Sequence, residues 1–289
     1  MSLKEILIKH GFHFNKRFGQ NFISDVNLLS SIAELAGVTP QDTVVEIGVG
    51  AGTLTRETAM RAKRVIGYEI DENLKPVLSE TLAGIDNAEV VFKDFMKVKT
   101  ADFEREVGDE YIVIANLPYY ITTPVIMKFV EEAQNCRRLV IMVQEEVALR
   151  LAAKEDTPEY GAITASVGIT GDAKIVKRVP RTMFYPVPNV DSAVVRIDMC
   201  KPKYGVTNLN LYRKVVRAAF GSRRKTLANN LMQSFGFSRD VAENVILGAG
   251  IDVKARGETL STADFARLAD KIEDELKGGN NSEKNKNAK

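Results

Sequence analysis

Four residues in the middle of the chain, Asn116-Leu117-Pro118-Tyr119, set an amide, a carbonyl, a turn-fixing proline and an aromatic ring directly after the apolar run Tyr111–Ala115. This set suits methylation of an exocyclic amine on a purine. That nitrogen is a poor nucleophile because its lone pair is delocalised into the ring. Two acceptors that each take one N–H favour a pyramidal nitrogen and aim its lone pair at a methyl donor. The Asn116 side-chain oxygen and the Leu117 carbonyl can do so, with Pro118 holding the turn, and Tyr119 offers a flat face for a base. A sulfonium methyl is already activated, and the product ammonium loses its proton afterwards, so neither a metal nor a strong base is required. Standing alone, the tetrapeptide is only a turn after a strand.

A second group of residues describes a nucleoside site. Glu46-Ile-Gly48-Val-Gly50-Ala-Gly52-Thr leaves a β-branched run and enters a helical pattern. Glycines at 48 and 50 let backbone approach a ligand closely, and a helix start presents unpaired N–H groups. The spacing is G-x-G-x-G, not the G-x-G-x-x-G of dinucleotide sites, and no hydride-transfer partner accompanies it, which argues against a nicotinamide enzyme. Glu69, at the end of the next strand pattern, is placed to hold both ribose hydroxyls. Asp94, after the third, is placed for an adenine amino group. Each acid alone reads equally well as a cap or a solvated strand end; the three features in register do not.

These residues need a sheet to carry them. Thr43–Ile47, Arg64–Glu69, Glu89–Phe92, Tyr111–Ala115 and Arg138–Val143 are apolar on both faces, as in a parallel sheet covered by helices. Asp25–Ala36 reads as a helix with Ser24 as N-cap and Gly37 as its stop. Ala162–Thr170, Lys174–Arg178 and Ser192–Asp198 read as strands added antiparallel at an edge. Beyond Lys201 the patterns at Leu211–Phe220, Lys225–Met232, Arg239–Leu247 and Thr262–Leu276 are helical. The expected organisation is an N-terminal arm and loop over 1–24, an α/β domain over 25–200, a helical domain over 201–277 and a disordered tail over 278–289.

Composition narrows the class. The chain has 289 residues, enough for one large domain or one with a smaller companion. Two cysteines and two histidines cannot build a disulfide scaffold or most metal sites. No metal is expected, and Cys136 and Cys200 read as unpaired structural residues. His10 and His13 read as surface residues of a mobile arm. No signal peptide or membrane span is visible, so a cytoplasmic protein is expected. Net charge is only +2, but residues 201–230 hold eight Lys or Arg and no acid, and residues 1–20 add a further +3. Such a stripe suits a face that meets polyanion. It includes Arg217 and the triplet Arg223-Arg224-Lys225, where Ser222 is expected to cap a helix. Cations at a helix start oppose its dipole, so contacts to RNA phosphates explain the triplet better than helix stability does.

Five segments together resemble a known family. Residues 16–23 (KRFGQNFI), 46–54 (EIGVGAGTL), 116–119 (NLPY), 182–192 (TMFYPVPNVDS) and 220–227 (FGSRRKTL) are similar to the ribosomal RNA adenine N6,N6-dimethyltransferases, of the KsgA type that acts on small-subunit rRNA. The likeness covers about residues 10–276. It implies a Rossmann-like class I methyltransferase with a mostly parallel seven-stranded sheet, followed by a small all-helical C-terminal domain. It also implies S-adenosyl-L-methionine as methyl donor. The implied target is two adjacent adenosines in the 3′-terminal hairpin loop of 16S rRNA within the small subunit, with a role in subunit biogenesis. By the same likeness Asn21 and Ile23 line the cofactor site with Gly48, Glu69, Asp94 and Asn116, while Tyr119 and Phe184 sandwich the target base. Phe184 can also be read as a plug at the sheet edge. Two alternatives differ in prediction: a large-subunit rRNA methylase of the macrolide-resistance type, and an RNA-binding assembly factor with little turnover. Nothing signals oligomerisation, and a monomer is expected.

Overall fold

The computed structural model describes residues 2–15, 19–222 and 224–286, the last eight as backbone. The chain forms two compact units, Met1–Leu149 with Asp172–Met199, and Arg150–Gly171 with Cys200–Lys289.

The first unit is built on strands β1 (Phe22–Ile23), β2 (Thr43–Ile47), β3 (Arg64–Glu69), β4 (Ala88–Phe92), β5 (Tyr111–Asn116), β6 (Cys136–Gln144), β7 (Gly171–Val179), β8 (Phe184–Tyr185) and β9 (Ser192–Met199). Seven of them form one sheet in the order β4-β3-β2-β5-β6-β9-β7. The pairs from β4 to β6 are parallel and β6–β9 is antiparallel, so the sheet is mostly parallel. Val44, Val45, Ile66, Val113, Ile114 and Leu139 are all but fully buried, which follows from strands apolar on both faces under helices on each side. Helix Val26–Leu35 lays Leu28, Leu29 and Ile32 on Val44, Ile112 and Val140. Its N-cap is Asp25, whose side chain accepts from Leu28 N at 2.8 Å, and not Ser24. The carboxylate is the stronger acceptor for that amide. Strands β2 and β5 are neighbours although β3 and β4 lie between them in sequence. The connections therefore run outward in opposite directions, and a crevice opens beyond their C-terminal ends.

Residues 2–10 are docked, which corrects their reading as part of a mobile arm. Helix Leu3–Lys9 carries a capping box between Ser2 and Glu5 and buries Leu3 and Leu7, one turn apart, in a cluster with Phe22, Val77 and Leu78. His10 Nε2 and Lys9 Nζ reach Glu80 at 2.7 and 2.8 Å. His13 is exposed. Lys16, Arg17 and Phe18 lie outside the described residues.

The second unit is helical, and it differs from the expected boundary at 200 because it also takes Arg150–Gly171. Ala162–Gly168 is a helix, not a strand. The run is apolar without alternation, which does not separate a buried strand from a buried helix. Its neighbours decide: Ala165 and Ile169 pack with Tyr212, Val216 and Phe265, and Tyr212 Oη donates to the Ala165 carbonyl at 2.9 Å. Helices Leu209–Ala219, Leu227–Phe235, Arg239–Gly248 and Thr262–Lys286 supply the rest. The last continues past Gly278, where a disordered tail was expected, because extending a formed helix adds one hydrogen bond per residue without a new nucleus. Among the described residues no helix is long and apolar enough to cross a membrane.

Candidate active site

The C-terminal ends of β2, β3 and β5 open on one cleft of about 1080 Å³, which includes open solvent. Its walls include Asn21, Ile23, Gly48, Gly50, Glu69, Asp94, Asn116, Leu117, Pro118, Tyr119 and Phe184, so every cofactor and target-base residue expected from the sequence reaches one place. The register explains the meeting of the two central turns. Ile47 of β2 pairs with Ala115 of β5, so the Gly48 turn and the Asn116–Pro118 turn leave the sheet side by side. Gly48 has φ +76°, and a Cβ there would stand 3.0 Å from Leu117 Cδ2. Only glycine takes both the left-handed backbone and the close approach.

Sequence patterns did not reveal how the N-terminal loop is held. β1 and β8 form a two-residue antiparallel pair, Phe22 opposite Tyr185 and Ile23 opposite Phe184. That pairing sets Asn21 and Ile23 beside Phe184. Gln20 Nε2 donates to Asp71 Oδ2 at 2.7 Å, and Thr53 Oγ1 donates to the Ile23 carbonyl at 3.0 Å. Phe184 is 4% exposed and packs with Ile23, Leu28 and Val194. It thus plugs the core while its remaining surface walls the cleft.

Hydrogen bonding leaves specific acceptors to the cleft. Asn116 Nδ2 donates to the Asn21 carbonyl at 3.3 Å. Neither Asn116 Oδ1 nor the Leu117 carbonyl carries a protein hydrogen bond among the described residues. Tyr119 Oη lies 2.9 Å from Ser192 Oγ, which anchors the ring at its far end. Glu69 accepts from Gly50 N at 2.7 Å and from Ile70 N and Asp71 N, both at 2.8 Å. Burial raises its carboxyl above the ordinary value, and those three backbone bonds oppose the rise. Asp94 caps the next turn through Met96 N at 3.0 Å, with Lys97 Nζ 3.8 Å from its other oxygen.

Glu46 is a site residue to which the sequence reading gave no role of its own. It is 1% exposed and its Oε2 has no hydrogen-bond partner, yet it belongs to the cleft wall. Burial, reinforced by the Glu69 charge, pushes its pKa up to about 8. The signal was present: a carboxylate next to last in an otherwise apolar strand.

The expected RNA-facing residues belong to the helical unit. Arg217, Arg224 and Lys225 are exposed, Arg223 lies outside the described residues, and Arg213 of the same basic stretch is buried. The helix after the triplet starts at Leu227 and is capped by Thr226. Ser222 instead closes a turn, its carbonyl accepting from Lys225 N at 3.1 Å, so the expected cap at Ser222 is corrected by four residues. Cys136 is buried and Cys200 exposed, and neither is in a disulfide.

The chain is similar to known proteins over nearly its whole length. Residues 11–274 match the family described as ribosomal RNA adenine dimethylase. Proteins named ribosomal RNA small subunit methyltransferase A are 44% identical in Bacillus licheniformis, covering 94% of this chain and 96% of that one, and 43% identical in Geobacillus thermodenitrificans, covering 93% and 94%. Among solved structures, a dimethyladenosine transferase from Plasmodium falciparum is 25% identical with a TM-score of 0.71, covering 86% of this chain and 95% of that one. The 23S rRNA methyltransferase ErmE is 28% identical with a TM-score of 0.67, covering 87% and 99%. With its mostly parallel sheet, its glycine turn and its Asn-Leu-Pro-Tyr turn on one cleft, the chain belongs to the ribosomal RNA adenine dimethylase family.

Proposed function

We propose that this protein transfers methyl groups from S-adenosyl-L-methionine to the N6 amines of two adjacent adenosines in the 3′-terminal hairpin loop of small-subunit rRNA, as a step in subunit biogenesis. The observation that carries the reading is the pair of unpartnered acceptors, Asn116 Oδ1 and the Leu117 carbonyl, on the same cleft as Glu69 and Asp94. The relatives' names support the small-subunit target over the large-subunit one.

The donor supplies an electrophilic methyl on a sulfonium. The residues of the cleft fit it. Glu69, fixed by three backbone amides, takes two of them on Oε1 and one on Oε2, so Oε2 keeps an acceptor site for a ribose hydroxyl, and Asp94 accepts from an adenine amine. Gly48 and Gly50 leave room for the donor against backbone. Glu46 Oε2, buried beside this wall without a hydrogen-bond partner, is a polar atom there that the protein leaves unsatisfied. Asn21 and Ile23 close the cleft from the N-terminal loop. Asn116 Oδ1 and the Leu117 carbonyl take the two N–H bonds of the target amine and leave its lone pair directed at the methyl. Tyr119, braced by Ser192, and the wall at Phe184 hold the base once it has left its stack. Exposed Arg217, Arg224 and Lys225, with Arg223, contact RNA phosphates and position the substrate without reading its sequence.

Asn116→Ala tests the assignment. Its turnover on unmethylated small-subunit particles is expected to fall by a hundred-fold or more, while calorimetry finds cofactor affinity within a few-fold of the parent. Unchanged turnover would refute the role of the amide.

A further inference from the structure

Tyr120 directly follows the Asn116–Tyr119 turn and is the second residue of helix Tyr119–Glu132. It lines the same cleft, yet it is 65% exposed. Its environment differs from that of the other tyrosines at this end of the unit. Tyr119 is held through Ser192. Tyr185 is exposed but packed edge-on against Phe14 at 5.4 Å, with Lys4 Nζ 5.7 Å from its ring centre. The Tyr120 side chain has no aromatic contact and no hydrogen bond among the described residues. One edge stands over the N-terminal loop, where a Cβ at Gly19 would lie 3.9 Å from Tyr120 Cε1. A lone exposed tyrosine on an arbitrary surface calls for no explanation. Here the ring sits at the mouth of the cleft, next in the chain to the residue that receives a base.

A base drawn out of its stack leaves a neighbour without a stacking partner, and single-stranded RNA is recognised by giving such bases aromatic faces. We propose that Tyr120 is a stacking platform for the nucleobase adjoining the target adenine. The cleft then takes two consecutive nucleotides, one base inside against Tyr119 and the next outside on Tyr120. The inference rests on the methyl-transfer reading above and adds a second base subsite to it. Stacking tolerates any base, so this subsite contributes affinity and register and leaves base identity unread.

Three variants test it. Tyr120→Ala should raise KM for unmethylated small-subunit particles roughly ten-fold, the scale of one lost base–aromatic stack, with kcat and cofactor affinity within two-fold of the parent. Tyr120→Phe should restore KM, because stacking needs the ring and not the hydroxyl. The chain has no tryptophan, so Tyr120→Trp carries a single indole. Its emission should be quenched by an RNA hairpin bearing the paired adenosines in its loop, and not when the target's neighbour is made abasic. Unchanged KM in Tyr120→Ala overturns the proposal, as does equal quenching by the abasic hairpin. A loss of cofactor affinity with KM unchanged would assign the ring to bracing the Gly19 loop and would equally overturn it. The underlying reading fails separately: if Asn116→Ala keeps its turnover, the base pocket itself is wrong, whereas a dead Asn116→Ala beside a neutral Tyr120→Ala removes only the second subsite.

Discussion

Two carboxylates in this cleft show how position sets the chemistry of identical groups. Glu69 is nearly buried but receives three backbone N–H bonds, whereas Glu46 is buried with one oxygen orphaned. Desolvation, only partly offset by Thr55 and reinforced by the Glu69 charge, favours the neutral acid and pushes the Glu46 pKa up to about 8. The sign of the resulting stability effect follows. Between these two values the folded chain keeps a proton that the unfolded chain has released, so stability attributable to Glu46 falls as pH rises, by up to about 1.4 kcal/mol per pH unit. It is level below and above that window. Glu46→Gln should therefore unfold in urea much like the parent at pH 4.5, and gain stability over it progressively toward pH 8. The same difference at both ends would mean that the carboxyl is already ionised in the fold. The orphaned oxygen is also what the sequence could not disclose. Glu46 was visible as an acid in a strand, but its lack of a partner depends on neighbours from β3 and the glycine turn.

At the scale of elements, the site depends on short and distant pairings. Helix Leu3–Lys9 seats Leu7 against Phe22, Val77 and Leu78, and Phe22 begins the two-residue pairing of β1 with β8 that carries Asn21 and Ile23. Leu7→Ala should lower unfolding stability by roughly 2–5 kcal/mol through the cavity it leaves, and should weaken cofactor binding because the capping loop loses its support. A stability loss with unaltered calorimetric affinity would uncouple that helix from the loop. The five parallel strands were legible because each carries an apolar, β-branched run; β2, β3, β5 and β6 are largely buried on both faces, while edge strand β4 is only partly buried. Their register was legible only by its result, the convergence of Gly48 and Asn116. The pairing of β1 with β8 was not legible, since two residues carry no periodicity and the partner lies some 160 positions away. Ala162–Gly168 was misread for a related reason: with every side buried, its period is hidden, and only packing against Tyr212 and Phe265 makes it a helix. The helix start at Thr226 was missed because Ser222 and Thr226 are both good caps, and the turn closed by Lys225 N selects the later one.

For the whole molecule, charge matters through its distribution. A net charge of +2 is compatible with an RNA substrate because residues 201–230 of the helical unit hold eight Lys or Arg and no acid, while acids outnumber bases over the rest of the chain. One member of that stretch, Arg213, is buried, so sequence counting overstates the face available to phosphate. Replacing exposed Arg217, Arg224 and Lys225 together by alanine should weaken binding to small-subunit particles and reduce the slope of log affinity against log salt by about 2–3. An identical slope would place these residues away from the RNA. The reaction itself is tested most directly by mass spectrometry of rRNA from unmethylated small-subunit particles after incubation with this protein and isotope-labelled S-adenosyl-L-methionine. The expected result is two labelled methyls on each of two neighbouring adenosines of the 3′-terminal hairpin. Label on 23S rRNA, label on any atom other than N6, or no label at all would contradict the account.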